Sequence, residues 1–200
     1  MTGQINMDSS FGQAIATIAS NPAYKKFCEV GTWNGLGSTR CFYEGIRRNP
    51  GAELISLEGN YEMYKSASTV WKDVPQVKVL YGTLHRNIMR PSEVISHPLY
   101  SFIREHYSQY YESEKEACLN APLLTVPKCD VVLLDGGEFS TEGDWKELYH
   151  PGLKVVILDD THVIKTNRIY NELKRDFSWR IVYNDVGSRN GCAIFVRVYQ

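Results

Sequence analysis

The chain has 200 residues, 43% of them hydrophobic and 22% charged, which is enough for one sizeable core, and no Pro/Gly/Ser-rich linker divides it into halves. A formal net charge of -1 excludes a global electrostatic pull toward nucleic acid or an anionic membrane and favours a small or neutral partner. Cys28, Cys41, Cys118, Cys129 and Cys192 form no CxxC pair, which argues against a disulfide framework or a zinc cluster and for reduced thiols in a cytoplasm.

The opening MTGQINMDSS carries no basic-then-apolar signal, and no apolar run approaches the roughly twenty residues that cross a bilayer, so a soluble chain is expected. Over residues 10–20, Phe11, Ala14, Ile15 and Ile18 recur at helical spacing and stop before Asn21-Pro22. Packing on a sheet edge is the favoured role of this helix, and covering a cofactor mouth is the alternative.

Residues 27–40, FCEVGTWNGLGSTR, read as a strand breaking into a glycine loop and then a helix over 36–48. Gly31 opens a tight turn, and Gly35 and Gly37 let backbone approach a ligand without a Cβ in the way. No Lys follows the last glycine as a phosphate loop requires, and Trp33 stands where a dinucleotide loop needs its second glycine. A nucleoside lacking phosphates is the occupant that remains.

The helix stops at Asn49-Pro50-Gly51, and a strand over 53–57 ends at Glu58-Gly59. Glu58 falls about twenty residues beyond the glycine loop, where an acid accepts hydrogen bonds from both ribose hydroxyls of a nucleoside. A helix over 61–72 and a strand over 77–81 follow, and Gly82-Thr83 at that strand's end is the expected adenine contact. His85 reads as an ordinary surface residue.

Residues 90–127 interrupt the pattern as an insertion, with a helix over 101–118 whose Ile103, Tyr107, Tyr110 and Ala117 recur near one face. A substrate lid, a subunit contact in a homo-oligomer and a solvated cap are all open readings. Continuous apolar strands over 129–134 and 153–158 then end in Asp135-Gly136-Gly137-Glu138 and Asp159-Asp160-Thr161-His162, with a helix through Trp145 and Leu148 between them. After a helix over 166–177, strands over 179–183 and 192–198 should pair antiparallel.

Adjacent strands bring Asp135, Asp159 and Asp160 to one rim, where three carboxylates repel one another and a hard cation such as Mg2+ relieves the repulsion. Without a His/Cys ligand set, zinc is disfavoured. Asp135 and His162 are the candidate proton acceptors, and sequence does not choose between them.

The spacing Glu29-x-Gly31-x-x-x-Gly35-x-Gly37 resembles motif I of class I S-adenosylmethionine (SAM) methyltransferases, and EVGTWNGLGST is most similar to the loops of the macrocin O-methyltransferase and cephalosporin-hydroxylase-like branch. DGGEFST at 135–141 resembles that branch's DGDxYxST segment, and ILDD at 157–160 its second acidic segment. Gly137 and Phe139 depart from the pattern on the substrate side. The resemblance implies a single α/β domain over 1–200, Rossmann-like and doubly wound, with a seven-stranded, mostly parallel sheet in the order 3-2-1-4-5-7-6. It assigns cofactor contacts to Glu29, Gly31, Thr32, Gly35, Gly37, Ser38, Glu58, Gly82, Thr83 and Asp135, and a divalent metal to Asp135, Asp159 and Asp160. The implied activity is SAM-dependent O-methylation of a small hydroxylated acceptor such as a sugar or glycoside. A metal-independent enzyme of the same fold and a non-catalytic SAM-binding module are the alternatives, while Trp33 and the terminal hairpin argue against an NAD-dependent oxidoreductase.

Overall fold

The computed structural model describes residues 5–198, so the first four residues of the segment read for a targeting signal lie outside it. Seven strands form one sheet in the order β3-β2-β1-β4-β5-β7-β6. The strands are β1 (Lys26–Val30), β2 (Glu53–Glu58), β3 (Val77–Tyr81), β4 (Val131–Leu134), β5 (Val155–Asp159), β6 (Trp179–Asp185) and β7 (Cys192–Arg197). The first five run parallel, and β7 lies antiparallel between β5 and β6.

Side chains alternate across a strand, so the apolar runs of β1, β4 and β5 feed two cores at once. Phe27, Leu54, Val131, Leu133, Val155 and Ile157 face α1 (Ser10–Ser20) and α2 (Ser38–Ile46), meeting Ile15, Phe42 and Ile46. Cys28, Val132, Leu134, Val156 and Leu158 face the other way, against Leu148, Ile169 and Leu173. Leu148 comes from α6 (Thr141–Leu148), and the other two from α7 (Ile164–Arg175). At about 1.5–3 kcal/mol for each fully buried large apolar side chain, this central sandwich dominates the stability of the domain.

Caps set several helix limits. The Ser9 hydroxyl accepts from the Gly12 N–H at 3.0 Å, and the Asn60 side chain accepts from Glu62 and Met63 at the start of α3 (Tyr61–Trp71). Helix α2 begins at Ser38 rather than at residue 36, because Gly35 sits at φ 76 and Gly37 is also non-helical. The indole N–H of Trp71 donates to the Gly35 carbonyl at 2.8 Å and fixes that turn.

The insertion holds two helices, α4 (Pro91–Ser96) and α5 (Tyr107–Asn120), separated by a short 3-10 turn at Tyr100–Phe102. The expected single helix from residue 101 therefore starts six positions later, and Ile103 is not on it. Its inward face is Tyr107, Tyr111, Glu114 and Cys118, not the expected Tyr107, Tyr110 and Ala117 stripe. Tyr107 and Tyr111 pack on Phe139, with ring centroids at 5.9 and 5.3 Å, in a third small core with Val94, Ile103 and Ile164. The far end of the insertion returns beside β3, where Thr83 donates to Pro122 and accepts from Leu124. Among the described residues no helix is long and apolar enough to cross a membrane.

Candidate active site

Strand register sets the site. Val30 pairs with Leu57 and Leu134, and Leu134 with Leu158, so the residues that follow these strands emerge side by side at their carboxyl ends. There a cavity of about 790 Å3 opens, within the roughly 300–1,000 Å3 typical of small-molecule sites. Gly31, Thr32, Gly37, Ser38, Glu58, Gly82, Thr83, Asp135 and Asp160 all line it.

The glycine loop is held by β2: the N–H groups of Gly31 and Thr32 both donate to the Leu57 carbonyl, at 3.0 and 3.2 Å. Gly31 has φ 96, and a Cβ there would lie 2.0 Å from the Asp135 carbonyl oxygen, so the strand ends close only around glycine. Glu58 accepts from the backbone N–H of Trp33 at 2.6 Å and from Asn60 at 2.8 Å, one bond to each carboxylate oxygen. Each oxygen retains acceptor capacity toward the cavity. Burial raises the Glu58 pKa, opposed by those N–H bonds.

Two residues assigned to the cofactor stand behind the cavity wall instead. Glu29 is fully buried and accepts from the hydroxyls of Thr39 at 2.7 Å and Ser56 at 2.6 Å. Burial pushes its carboxyl up to about 7 against the pull of Ser38, Ser56 and Thr39. Gly35 packs against Trp71. Both shape the loop from beneath.

The acidic rim assembles as the sequence predicts, with one carboxylate oxygen each of Asp135, Asp159 and Asp160 within 4.8 Å of the others. Two cations already sit among them. Lys165, in the first turn of α7, places Nζ 2.9 Å from Asp135 Oδ1 and 2.6 Å from Asp160 Oδ2. Arg189, in the β6–β7 loop, reaches Asp159 at 3.3 Å and Asp160 at 3.6 Å, and the Asn190 amide donates to Asp160 at 3.0 Å. Three negative groups thus face two positive ones. Lys165 already relieves part of the repulsion for which Mg2+ was expected, and a divalent ion taking Asp135 Oδ1 and Asp160 Oδ2 would have to displace its ammonium.

The charges respond accordingly. Burial raises Asp135, with Lys165 opposing, and burial with the neighbouring Asp135 and Asp160 charges pushes Asp159 up to about 7. For Asp160 the positive neighbours outweigh burial and its pKa falls, while burial of Lys165 is outweighed by its two acids and its pKa rises.

The structure does not bring His162 to the cavity. Its side chain is exposed, and its backbone N–H is tied to the Asn190 carbonyl at 2.7 Å. His85, read as a surface residue, is buried, with Nε2 3.1 Å from Asp144 Oδ1. The Asn87 N–H donates to His85 Nδ1, so Nε2 carries the proton and faces the acid. Asp144 lines the cavity, as do Trp33, Glu138 and, from α5, Tyr110, Ser113, Glu114 and Ala117. The insertion is therefore a wall of the site. Glu114 accepts from the Phe139 N–H at 2.9 Å and joins that wall to the loop after β4.

Solved structures share this architecture. An O-methyltransferase of Bacillus cereus in complex with SAH, the demethylated product of SAM, matches 98% of this chain and 84% of its own at a TM-score of 0.62 and 15% identity. The fold is that of the class I methyltransferases. The SAH-bound methyltransferase PaMTH1 of Podospora anserina matches with a TM-score of 0.57 at 15% identity over 94% of this chain and 78% of that one. The O-methyltransferase TomG of Streptomyces achromogenes, involved in tomaymycin synthesis and in complex with SAM, matches with 0.56 at 14% identity over 94% and 79%. No family model and no curated protein matches the sequence.

Proposed function

We propose that the protein is a SAM-dependent O-methyltransferase that acts on a hydroxyl of a small molecule, a sugar or glycoside being the class implied by the sequence resemblance. The observation that carries this reading is the convergence of Gly31, Glu58, Gly82 and Asp135, from the ends of four parallel strands, on one cavity of about 790 Å3. The SAM- and SAH-bound proteins of the same fold support it.

In this reading Glu58 accepts the ribose hydroxyls, the loop from Gly31 to Ser38 lies along the amino-acid and ribose part, and Gly82-Thr83 meets the adenine. The sulfonium is an activated leaving group, so the protein's task is to align an acceptor oxygen with the methyl carbon. The S–CH3 bond breaks as the O–CH3 bond forms, the sulfonium becomes a neutral thioether, and the hydroxyl proton passes to Asp135. Asp135 suits this role because a quarter of its side chain is exposed to the cavity and burial favours its protonated form. His162 has no part in it, and the Mg2+ anticipated from the acids is left out of this reading because Lys165 holds one oxygen each of Asp135 and Asp160.

Calorimetric titration with SAM and SAH tests the assignment. Micromolar binding is expected, and Glu58→Ala should weaken it by roughly tenfold to a hundredfold, the loss of one hydrogen bond to a charged acceptor at about 1.5–3 kcal/mol. Folded protein that binds neither molecule would overturn the proposal.

A further inference from the structure

We infer that Lys165 is the fixed cation of this site, standing among Asp135, Asp159 and Asp160 in place of a divalent metal and presenting its remaining N–H to the acceptor oxygen. The acceptor role rests on the methyltransferase reading above; the exclusion of metal does not. An ammonium has three donors, and Lys165 spends two of them on Asp135 Oδ1 at 2.9 Å and Asp160 Oδ2 at 2.6 Å. Lys165 lines the same cavity as the glycine loop, so the third donor has the acceptor space before it.

The position is built rather than incidental. Lys165 is nearly buried, its own backbone N–H donates to Glu138 Oε1 at 3.2 Å, and its neighbour Thr166 ties the helix to the β5 end by donating to the Asp159 carbonyl at 2.6 Å. Arg189 and Asn190 close the outer side of the acids, and the β6–β7 loop that carries them is stitched to Thr161 and His162 by two backbone hydrogen bonds. Lys165 from α7, with Arg189 and Asn190 from the β6–β7 loop, thus contacts at least one carboxylate oxygen of each of the three acids.

The difference from a metal is chemical. A divalent cation with open positions can chelate two adjacent substrate oxygens, whereas one remaining N–H holds a single oxygen. The acceptor class is therefore a molecule recognised through one hydroxyl, with no need of a vicinal pair. Placed there, the positive charge stabilises the alkoxide character that grows as the proton leaves for Asp135.

The test is an electron paramagnetic resonance titration of Mn2+ into the intact protein, with and without SAH. The wild-type protein should leave millimolar Mn2+ free, and Lys165→Met, which uncovers Asp135 Oδ1 and Asp160 Oδ2 while keeping an unbranched stem, should gain a site at least tenfold tighter. A single tight Mn2+ site in the wild-type protein would overturn the inference, and that measurement decides even where the variant fails to fold. With SAM, methylation of glycosides carrying an isolated hydroxyl should match that of vicinal diols within about tenfold and persist in EDTA. In Lys165→Met, kcat should fall by roughly a hundredfold to a thousandfold, the scale of losing one charge-stabilising donor, with SAM affinity unchanged. Turnover confined to vicinal diols, or abolished by EDTA, would also overturn it. Absence of SAH binding refutes the proposed function alone, since the Mn2+ titration reads the fixed cation independently.

Discussion

Glu29 offers a measurement of how the glycine loop is supported. It is fully buried beneath the loop with hydroxyl donors around Oε2, and its Oε1 has no hydrogen-bonding partner among the described residues. Burial raises its carboxyl from an ordinary 4.5 to about 7. Between those values the folded state binds a proton that the unfolded state has released, so stability must fall as pH rises through the window. At about 1.4 kcal/mol per pH unit, the contribution is present in full below pH 4.5 and about 3 kcal/mol is lost by pH 7. Glu29→Gln keeps an oxygen that accepts from Thr39 and Ser56 but cannot ionise. Asp159, also raised to about 7, contributes with the same sign in both proteins, so the difference between them isolates Glu29. Urea unfolding between pH 4.5 and 8 should show the wild-type protein losing about 3 kcal/mol more than the variant. Parallel profiles would refute the reasoning and place the charge of Glu29 in a better-solvated position than its burial implies.

Gly31→Ala should destabilise the domain by about 2–6 kcal/mol, through left-handed strain together with a Cβ 2.0 Å from the Asp135 carbonyl oxygen. Thermal melting checks this, and an unchanged midpoint would show that the strand ends separate at little cost. Phe139→Ala removes the ring on which Tyr107 and Tyr111 pack, a change of about 3–5 kcal/mol in a buried site. Its expected signature is faster hydrogen exchange across α5 with β1, β4 and β5 still protected, and uniform loss across the sheet would contradict the view of α5 as a separately anchored wall.

The sheet was legible because its signals are local. The apolar runs read at 129–134 and 153–158 suit strands buried between two layers, and Gly, Pro and Asn punctuate the units between them. The acid rim was legible for the same reason, since residues just past parallel strands share an edge. Lys165 was not, because its relevance depends on a long side chain turning back over the strand ends, which no spacing rule reports. One physical signal was present. A cation in the first turn of a helix opposes the helix dipole, so a lysine there calls for an acidic partner nearby. His85 left no comparable mark, because its partner Asp144 belongs to a distant helix and meets it only through the packing of α6 beside the β3 end.

The departure at Phe139 changes meaning once the insertion is in place. Read along the sequence, it removes a hydroxyl from the substrate side of the acidic segment. In the structure the ring is 2% exposed and faces the tyrosines of α5, where a hydroxyl would be buried and would require a partner. Its backbone N–H meanwhile binds Glu114, so the same residue anchors α5 by its side chain and fastens the cavity wall by its main chain. The wall therefore cannot swing away without losing an apolar contact and a charged hydrogen bond together. The exposed rings of Trp33 and Tyr110 line the same cavity as Lys165, so this fixed wall adds aromatic surface to the space in which an acceptor would sit.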